Sequence, residues 1–223
     1  MFYHHEIVEM VPGMIDEYTD VCETFLMQLY GRYGKPLGFF NNACRHRENV
    51  LVWELGEDPL NFDKMGGLVS DRDGVAYHRL AIKYRHDWYD SFVESVPFSP
   101  TVDEIMKRQK KGDFTGNTLY YWESTRVLPG KMDEFLKAME KELIPMEEKR
   151  GMKLAGCYRW FGACGRTGEV ISFWSVKNWA HWGQMRVARL KDPAFKRWME
   201  KAMDWRKEWS YKFVIPTRIS VLH

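Results

Sequence analysis

The sequence lacks the features that would mark a secreted or membrane protein. Its four cysteines form no CxxC pair and are few for 223 residues, which argues against a disulfide framework and favours reduced thiols. No apolar run approaches the ~20 residues that a membrane span needs, and the N-terminal FYHHEIVEM resembles no signal peptide. We therefore expect a soluble, cytoplasmic protein that does not bind membranes.

An excess of charge of one sign and the common catalytic motifs are also missing. The 33 basic and 31 acidic side chains give a formal net charge of +2 and are spread along the chain, so no basic surface for nucleic acid is expected. Phosphate loops of the GxGxxG or GxxxxGK type, HExxH and GxSxG are absent, which disfavours nucleotide cofactors and standard hydrolases. No two histidines are four residues apart, and we predict no metal site.

Aromatic residues are abundant, and one short stretch of the sequence occurs twice in similar form. The stretch VEMVPGMIDEY at 8–18 returns as TRVLPGKMDEF at 125–135. Over seventeen positions at a constant offset of 117, six residues are identical. They are Tyr3/Tyr120, Glu6/Glu123, Pro12/Pro129, Gly13/Gly130, Asp16/Asp133 and Glu17/Glu134. Composition alone would give roughly one match in such a window, so the sequence indicates an internal duplication.

The duplication predicts two domains joined by a short linker. We place the first repeat at residues 1–106, a linker at 107–118, and the second repeat at 119–223. The linker contains the basic run KRQKK, which we interpret as a solvated segment and not as a binding site.

Each repeat reads as β-α-β-β-α-β. Strands at 2–10 and 119–127 end at Pro-Gly, and helical spacing follows. Hairpin strands are predicted at 37–44 with 49–55, and at 153–160 with 169–176. Helical regions are predicted at about 75–95 and 179–209, with last strands starting at Thr101 and Thr217. The fold class is α+β, with two tandem ferredoxin-like repeats. Their bare sheet faces would pair as an intrachain dimeric α+β barrel, with a cavity between the sheets.

Several of these segments resemble the NIPSNAP-like family of the dimeric α+β barrel superfamily. The resemblance rests on the strand ending in PG, the following DEF or DEY helix, GMKLAGCYRW, EVISFWSV, and RLKDPAFKRWME. It covers most of the second repeat and, more faintly, the first. It implies the fold, whereas the superfamily includes monooxygenases, cyclases, isomerases and haem proteins, so it does not choose a reaction.

The first strand carries the first candidate catalytic residues, His4, His5 and Glu6. Because strand side chains alternate, one histidine faces the helices and the other faces the cavity, and the pattern leaves both assignments open. The resemblance implies a histidine near this strand's start facing the barrel. At the matching places the second repeat has Tyr121 and Trp122. Glu6 is either an acid/base with a raised pKa or one partner of an ion pair.

Two further histidines, His78 and His181, lie in the helical regions after the hairpins. Either could exchange protons near neutral pH with His4 or His5. The resemblance to haem-binding members implies an alternative role for one of them as an axial haem ligand. A third interpretation gives each only a structural role.

Aromatic residues on the strands complete the candidate site. Trp53, Trp122 and Trp174, with Glu123, are expected to line a slot for an aromatic ligand, and Tyr121 to stabilise a developing oxyanion. We predict an enzyme that binds a small apolar, aromatic substrate and performs cofactor-independent proton transfer, as a lyase, isomerase or cyclase. Monooxygenation, haem binding and a non-catalytic binding or assembly module are the alternatives, and a homo-oligomer is possible.

Overall fold

A computed structural model describes residues 1–45, 47–58, 61–114, 119–162 and 164–222. The chain divides into two compact units. The first contains Met1–Glu94, Phe161–Gly165 and Val214–Leu222, and the second contains Ser95–Trp160 and Arg166–Phe213. No helix of the described ranges is long and apolar enough to cross a membrane.

In the first unit, four strands form an antiparallel sheet in the order β4-β1-β3-β2. They are β1 (Phe2–Met10), β2 (Lys35–Asn42), β3 (Glu48–Gly56) and β4 (Arg85–Ser95). The helices are α1 (Ile15–Val21), α2 (Met27–Tyr33), α3 (Asn61–Ser70) and α4 (Arg72–Ala81), with a π-helical turn at Cys22–Leu26. The outer strand β2 also pairs with Val214–Pro216 from the end of the chain.

The second unit repeats this plan with strands in the order β8-β5-β7-β6. They are β5 (Leu119–Val127), β6 (Lys153–Gly162), β7 (Glu169–Val176) and β8 (Arg206–Pro216). Its helices are α5 (Val102–Lys110), α6 (Met132–Ala138), α7 (Ile144–Glu148), α8 (Trp179–Lys191) and α9 (Pro193–Trp205), with a π-helical turn at Met139–Leu143.

The duplication is visible in irregular features of the backbone. The π-helical turns lie 117 residues apart, and the Pro-Gly corners both place glycine at positive φ, +84° at Gly13 and +77° at Gly130. The pairing of each hairpin shifts at a matching place, before Gly38 in the first unit and before Gly156 in the second. Such irregularities are not required by a generic β-α-β-β-α-β fold, so the prediction of α+β, tandem ferredoxin-like repeats is confirmed.

The last strand of each repeat was placed wrongly by the sequence argument. The predicted helical regions 75–95 and 179–209 end at Ala81 and Trp205, and strands β4 and β8 begin at Arg85 and Arg206. Pairing with a neighbouring strand outweighs the helical spacing here, because β4 pairs with β1 from Arg85 to Glu94. Thr101 does not start a strand but caps α5, with its side chain accepting from the Glu104 N–H.

The predicted start of the last strand at Thr217 and the predicted linker at 107–118 also differ from the structure. Thr217 follows the end of β8 at Pro216 and starts no strand. The first four residues of the predicted linker, 107–110, belong to α5, and residues 115–118 lie outside the described residues. The domain limits at 106 and 119 stay a prediction.

The core of the first unit is filled by large side chains between the sheet and helices. Trp53, expected to line a ligand slot, is fully buried there beside Tyr18, Phe39 and Tyr77. The hydroxyls of Tyr18 and Tyr77 lie 3.1 Å apart. Burial raises the pKa of both tyrosines, so they remain neutral hydrogen-bonding groups.

We predict that Gly156→Ala destabilises the fold by about 1–3 kcal/mol. A Cβ at Gly156 would lie 2.3 Å from the hydroxyl of Tyr158, a fully buried side chain that cannot swing into solvent. Urea unfolding measures the change in the free energy of unfolding. The matched control is Gly183→Ala in α8, where a Cβ meets nothing within 4 Å; it should stabilise by about 0.5–1 kcal/mol. Equal effects of the two substitutions would contradict the prediction.

Candidate functional site

A cavity of about 190 Å³ lies within the second unit. One wall is a face of the sheet made by β5, β7 and β8, and the other is made by helices α6, α8 and α9. The cavity thus lies between a sheet and its own helices, which differs from the expected position between two sheets. Aromatic rings form much of its lining, with carboxyl and guanidinium groups among them. The rings come from Tyr121, Phe135, Trp174, Trp182, Phe195, Trp198, Trp209 and Tyr211.

Strand alternation decides which predicted residues reach this cavity. Along β5, Tyr121, Glu123 and Thr125 line it, while Trp122 points to the opposite face of the sheet. There the Nζ of Lys212 lies 4.5 Å from the centre of the Trp122 ring. Trp122 therefore does not line this cavity, and its predicted contact with a ligand stays a prediction.

Glu123 is the central polar group of the cavity wall. One carboxyl oxygen accepts from the indole N–H of Trp174 at 3.0 Å and from the hydroxyl of Ser172 at 3.1 Å. The other accepts from the indole N–H of Trp209 at 3.0 Å. Burial raises the pKa of Glu123, although these donors oppose the shift by stabilising the carboxylate. The result is a fixed carboxyl group that holds a proton more readily than an ordinary glutamate.

Tyr121 lies beside Glu123 and is surrounded by aromatic rings. Its ring stacks on Trp182 with centroids 5.0 Å apart and lies 5.1 Å from the ring of Tyr211. Burial and the nearby Glu123 raise the pKa of Tyr121, so its hydroxyl stays protonated and able to donate. Tyr121, Glu123 and Trp174 are the three predicted site residues that the structure brings together here.

His181 lies at the start of α8 and lines no part of the cavity. Its Nδ1 accepts from the Lys177 backbone N–H at 3.3 Å, and its Nε2 donates to the Arg150 carbonyl at 2.7 Å. Because both ring nitrogens are engaged, this geometry leaves none to bind a haem iron. The two hydrogen bonds of the His181 ring instead fix the turn that leads into α8.

In the first unit, β1 presents a separate cluster. His4 Nε2 lies 3.2 Å from an Asp90 carboxyl oxygen, and His4 Nδ1 lies 3.5 Å from a carboxyl oxygen of Glu6. The hydrogen bond with His4 lowers the pKa of Asp90. Glu6 also accepts from the indole N–H of Trp88 at 3.1 Å. His5 is buried on the opposite face of β1, so it does not join this cluster.

His78 lies near the same cluster on α4. Its ring centre is 6.5 Å from that of Trp88, and burial, followed by the positive charge of Arg85, lowers its pKa. His4, Glu6 and His78 are thus neighbours in the first unit, while Tyr121, Glu123 and Trp174 gather in the second. The catalytic roles predicted for the histidines stay predictions. Across the described parts of the chain, no group of three or more His, Cys, Asp or Glu side chains is placed to hold a metal ion.

Several polar residues of the second unit's cavity were not predicted from the sequence, among them Arg186, Arg206 and Trp209. Arg186 lies on α8, and Arg206 and Trp209 lie on β8. A signal for the last two was available, because RHDW at 85–88 returns as RKEW at 206–209. Assigning both stretches to helices concealed that Arg and Trp share one strand region with matched surroundings in the two repeats.

Comparisons with known proteins agree on the fold. No curated protein matches the chain. A structure of an anthrone oxidase-like protein is 11% identical over 97% of this chain and 91% of its own, with a TM-score of 0.67. Two proteins provisionally named monooxygenases are also 11% identical. The one from Fusobacterium nucleatum subsp. nucleatum ATCC 25586 covers 96% of this chain and 91% of its own, with a TM-score of 0.61. The one from Lactobacillus acidophilus NCFM covers 96% and 92%, with a TM-score of 0.60.

The family comparison concerns the second half of the chain. The NIPSNAP family model matches residues 124–221, a range that begins within β5 and contains β6, β7 and β8. It includes nearly all of the cavity lining, from Thr125 to Tyr211. The resemblance seen in the sequence is therefore confirmed: residues 124–221 match the NIPSNAP family model.

Proposed function

We propose that the protein is a small-molecule enzyme that binds a single-ring aromatic compound in the cavity of the second unit. Glu123 acts there as the general acid/base of a cofactor-independent proton transfer, of the lyase, isomerase or cyclase type. The observation that carries this proposal is a carboxyl group with a raised pKa, held by three donors at the wall of an aromatic cavity.

The size of the cavity supports a compact ligand. Its volume of about 190 Å³ somewhat exceeds the ~150 Å³ of an engineered cavity that binds benzene. It is smaller than the roughly 300–1,000 Å³ of pockets for drug-sized molecules. One substituted ring matches this space, whereas a porphyrin or a fused three-ring anthrone is too large. Aromatic walls suit such a ring, because offset and edge contacts between rings are favourable.

The arrangement around Glu123 supports proton transfer. A general base works best when its pKa approaches the working pH, and burial moves Glu123 in that direction. The neutral hydroxyl of Tyr121, on the same face of β5, is positioned to donate to an oxyanion that forms on the substrate. The base is thereby Glu123 instead of His4 or His5, the two histidines predicted for this role from the sequence. The histidine cluster of the first unit remains the rival.

Oxygenation is a second candidate, raised by the names of the similar structures. It would begin with the same proton removal from an activated CH2 group. The resulting carbanion would then reduce O2, so that CH2 and O2 become a ketone and water. Oxygen consumption distinguishes this outcome from simple proton transfer, because an isomerase or lyase uses no O2.

We predict that the protein exchanges the CH2 protons of phenylacetone with D2O faster than buffer does. Phenylacetone is a neutral, single-ring ketone with acidic C–H bonds, and NMR measures the loss of its CH2 signal. Glu123→Gln should slow the exchange by roughly 100-fold or more, because a general base contributes about 10²–10⁴ in rate. Glu6→Gln, the same position in the first repeat, is the matched control and should exchange normally.

The other outcomes of this experiment are also informative. Loss of exchange in Glu6→Gln or His4→Gln, with Glu123→Gln active, would place the base in the first unit. No exchange with any variant, together with no quenching of tryptophan fluorescence by single-ring compounds, would leave a non-catalytic module as the interpretation.

We also predict a pH effect on stability that depends on Glu123. Its pKa is raised in the folded state, whereas an unfolded glutamate titrates near ~4.3. The folded state therefore gains stability from the protonated group below ~4.3, and this contribution is lost as pH rises through the raised pKa. Wild-type stability should fall relative to that of Glu123→Gln over this range. Urea unfolding of both proteins from pH 4 to 8 measures it, and a constant difference would contradict it.

A further inference from the structure

An arginine occupies the same place in both repeats. Arg85 begins β4 and Arg206 begins β8, 121 residues apart. The guanidinium carbon of Arg85 lies 5.0 Å from the ring centre of Trp88, and that of Arg206 lies 4.8 Å from the ring centre of Trp209. The residue before each arginine accepts a matched backbone hydrogen bond, from Val11 in the first unit and Leu128 in the second. The two arginines are therefore structural equivalents.

In the first unit the guanidinium has hydroxyl partners. Nη2 of Arg85 donates to Tyr77 at 2.5 Å and to Tyr18 at 3.1 Å. The guanidinium carbon also lies 5.6 Å from the ring centre of Tyr18 and 5.3 Å from that of Tyr77. The charge of Arg85 is thus accommodated by the core of its own unit.

In the second unit the equivalent hydroxyls are missing. Phe135 stands 117 residues after Tyr18, and Trp198 stands 121 residues after Tyr77. Both line the cavity, with ring centres 6.3 Å apart. Arg206 lines it too, and its Nη2 reaches only the Met199 sulfur at 4.0 Å, a weak acceptor. Arg206 is half-buried and, within the described ranges of the chain, forms no ion pair with a carboxylate, although the charge of Glu123 acts on it.

A second arginine adds to the positive charge of this cavity. Arg186 lines it from the exposed side of α8 and has no ion-pair partner in the part of the chain that the structure describes. Arg189, three residues on, is in contrast neutralised by Glu147 at 2.8 Å. The remaining carboxyl, Glu123, holds its proton more readily than usual. Two guanidinium groups thus face the cavity, and neither forms an ion pair in the part of the chain that the structure describes.

We infer that the ligand of this cavity is a single-ring aromatic carboxylate, whose carboxylate group is bound by Arg206 with Arg186 at the opening. A half-buried guanidinium that forms no ion pair is costly, and a carboxylate supplies the planar, two-oxygen partner that its geometry fits. The aromatic walls then hold the ring. The inference rests on the proposed function for the location of the ligand, and adds the charge that the ligand must carry.

The test compares benzoate with benzamide, which has nearly the same shape and no charge. Quenching of tryptophan fluorescence measures both dissociation constants, because Trp174, Trp182 and Trp209 line the cavity. Benzoate should bind roughly 10- to 100-fold more tightly, as expected for charge-assisted hydrogen bonds. Arg206→Met should remove this preference by weakening benzoate far more than benzamide. The control Arg126→Met removes the same charge outside the cavity, at a residue paired with Glu208, and should preserve the preference.

A second variant tests the inference without removing the arginine. Phe135→Tyr restores the hydroxyl that the first unit has at Tyr18, 3.1 Å from its arginine. This hydroxyl should accept a hydrogen bond from the guanidinium of Arg206. Benzoate binding should then weaken several-fold, with little change in benzamide binding.

The outcomes separate the two ideas. Equal affinity for benzoate and benzamide, unchanged in Arg206→Met, would overturn the carboxylate inference and leave the proposed enzyme intact, to be judged by phenylacetone exchange. Failure of both compounds to bind would overturn the inference and also count against the aromatic ligand of the proposed function.

Discussion

A carboxylate in the middle of a strand, held by indole N–H groups, is the interaction on which the second unit's cavity depends. Glu123 on β5 accepts from Trp174 and Ser172 on β7 and from Trp209 on β8. These bonds join three neighbouring strands through side chains, in addition to their backbone ladders. They also fix two indole rings in the wall, since a buried indole N–H needs a partner. The shape of the cavity follows from this one set of bonds.

The first unit keeps part of this arrangement and fills the space around it. Glu6 still accepts from an indole, that of Trp88, but two tyrosine hydroxyls bind the arginine that follows α4. The exchange of Tyr18 and Tyr77 for Phe135 and Trp198 removes two oxygen atoms and leaves a cavity that the Arg206 guanidinium lines. One repeat thus has a packed polar core, while the other presents equivalent groups to a cavity.

Much of the fold could be predicted from the sequence, because its strongest signals are local. Strands β1, β5 and β7 were predicted with the bounds that the structure shows, since alternating patterns ended at Pro-Gly or Gly-containing turns. Strands β4 and β8 were missed because their residues carry many charges and follow helices closely, so the change of period was hidden. Only pairing with β1 shows that Arg85–Ser95 is extended.

The same limit applies to the site. Tyr121, Glu123 and Trp174 were identified because they are polar or aromatic residues on recognised strands. Arg206 was not, because its strand had been assigned to a helix. Trp53 and Trp174 hold equivalent places in the two repeats, and no local pattern shows that one is sealed in a core while the other borders a cavity. That difference depends on which side chains the opposite helices supply.

The segment Val214–Leu222 belongs to the first unit, and this affects the order in which that unit can fold during synthesis. Val214–Pro216 pairs with β2, and the Thr217 and Ser220 side chains bond to the backbone of Phe39. A ribosome releases β2 long before these residues, so the strand's outer edge lacks these partners until residues 214–220 have been synthesised. Exposed strand edges invite pairing with other chains, and contacts between residues so far apart in sequence form slowly. The first unit is therefore completed only after the strands of the second unit have been synthesised, and the edge of β2 needs protection until then.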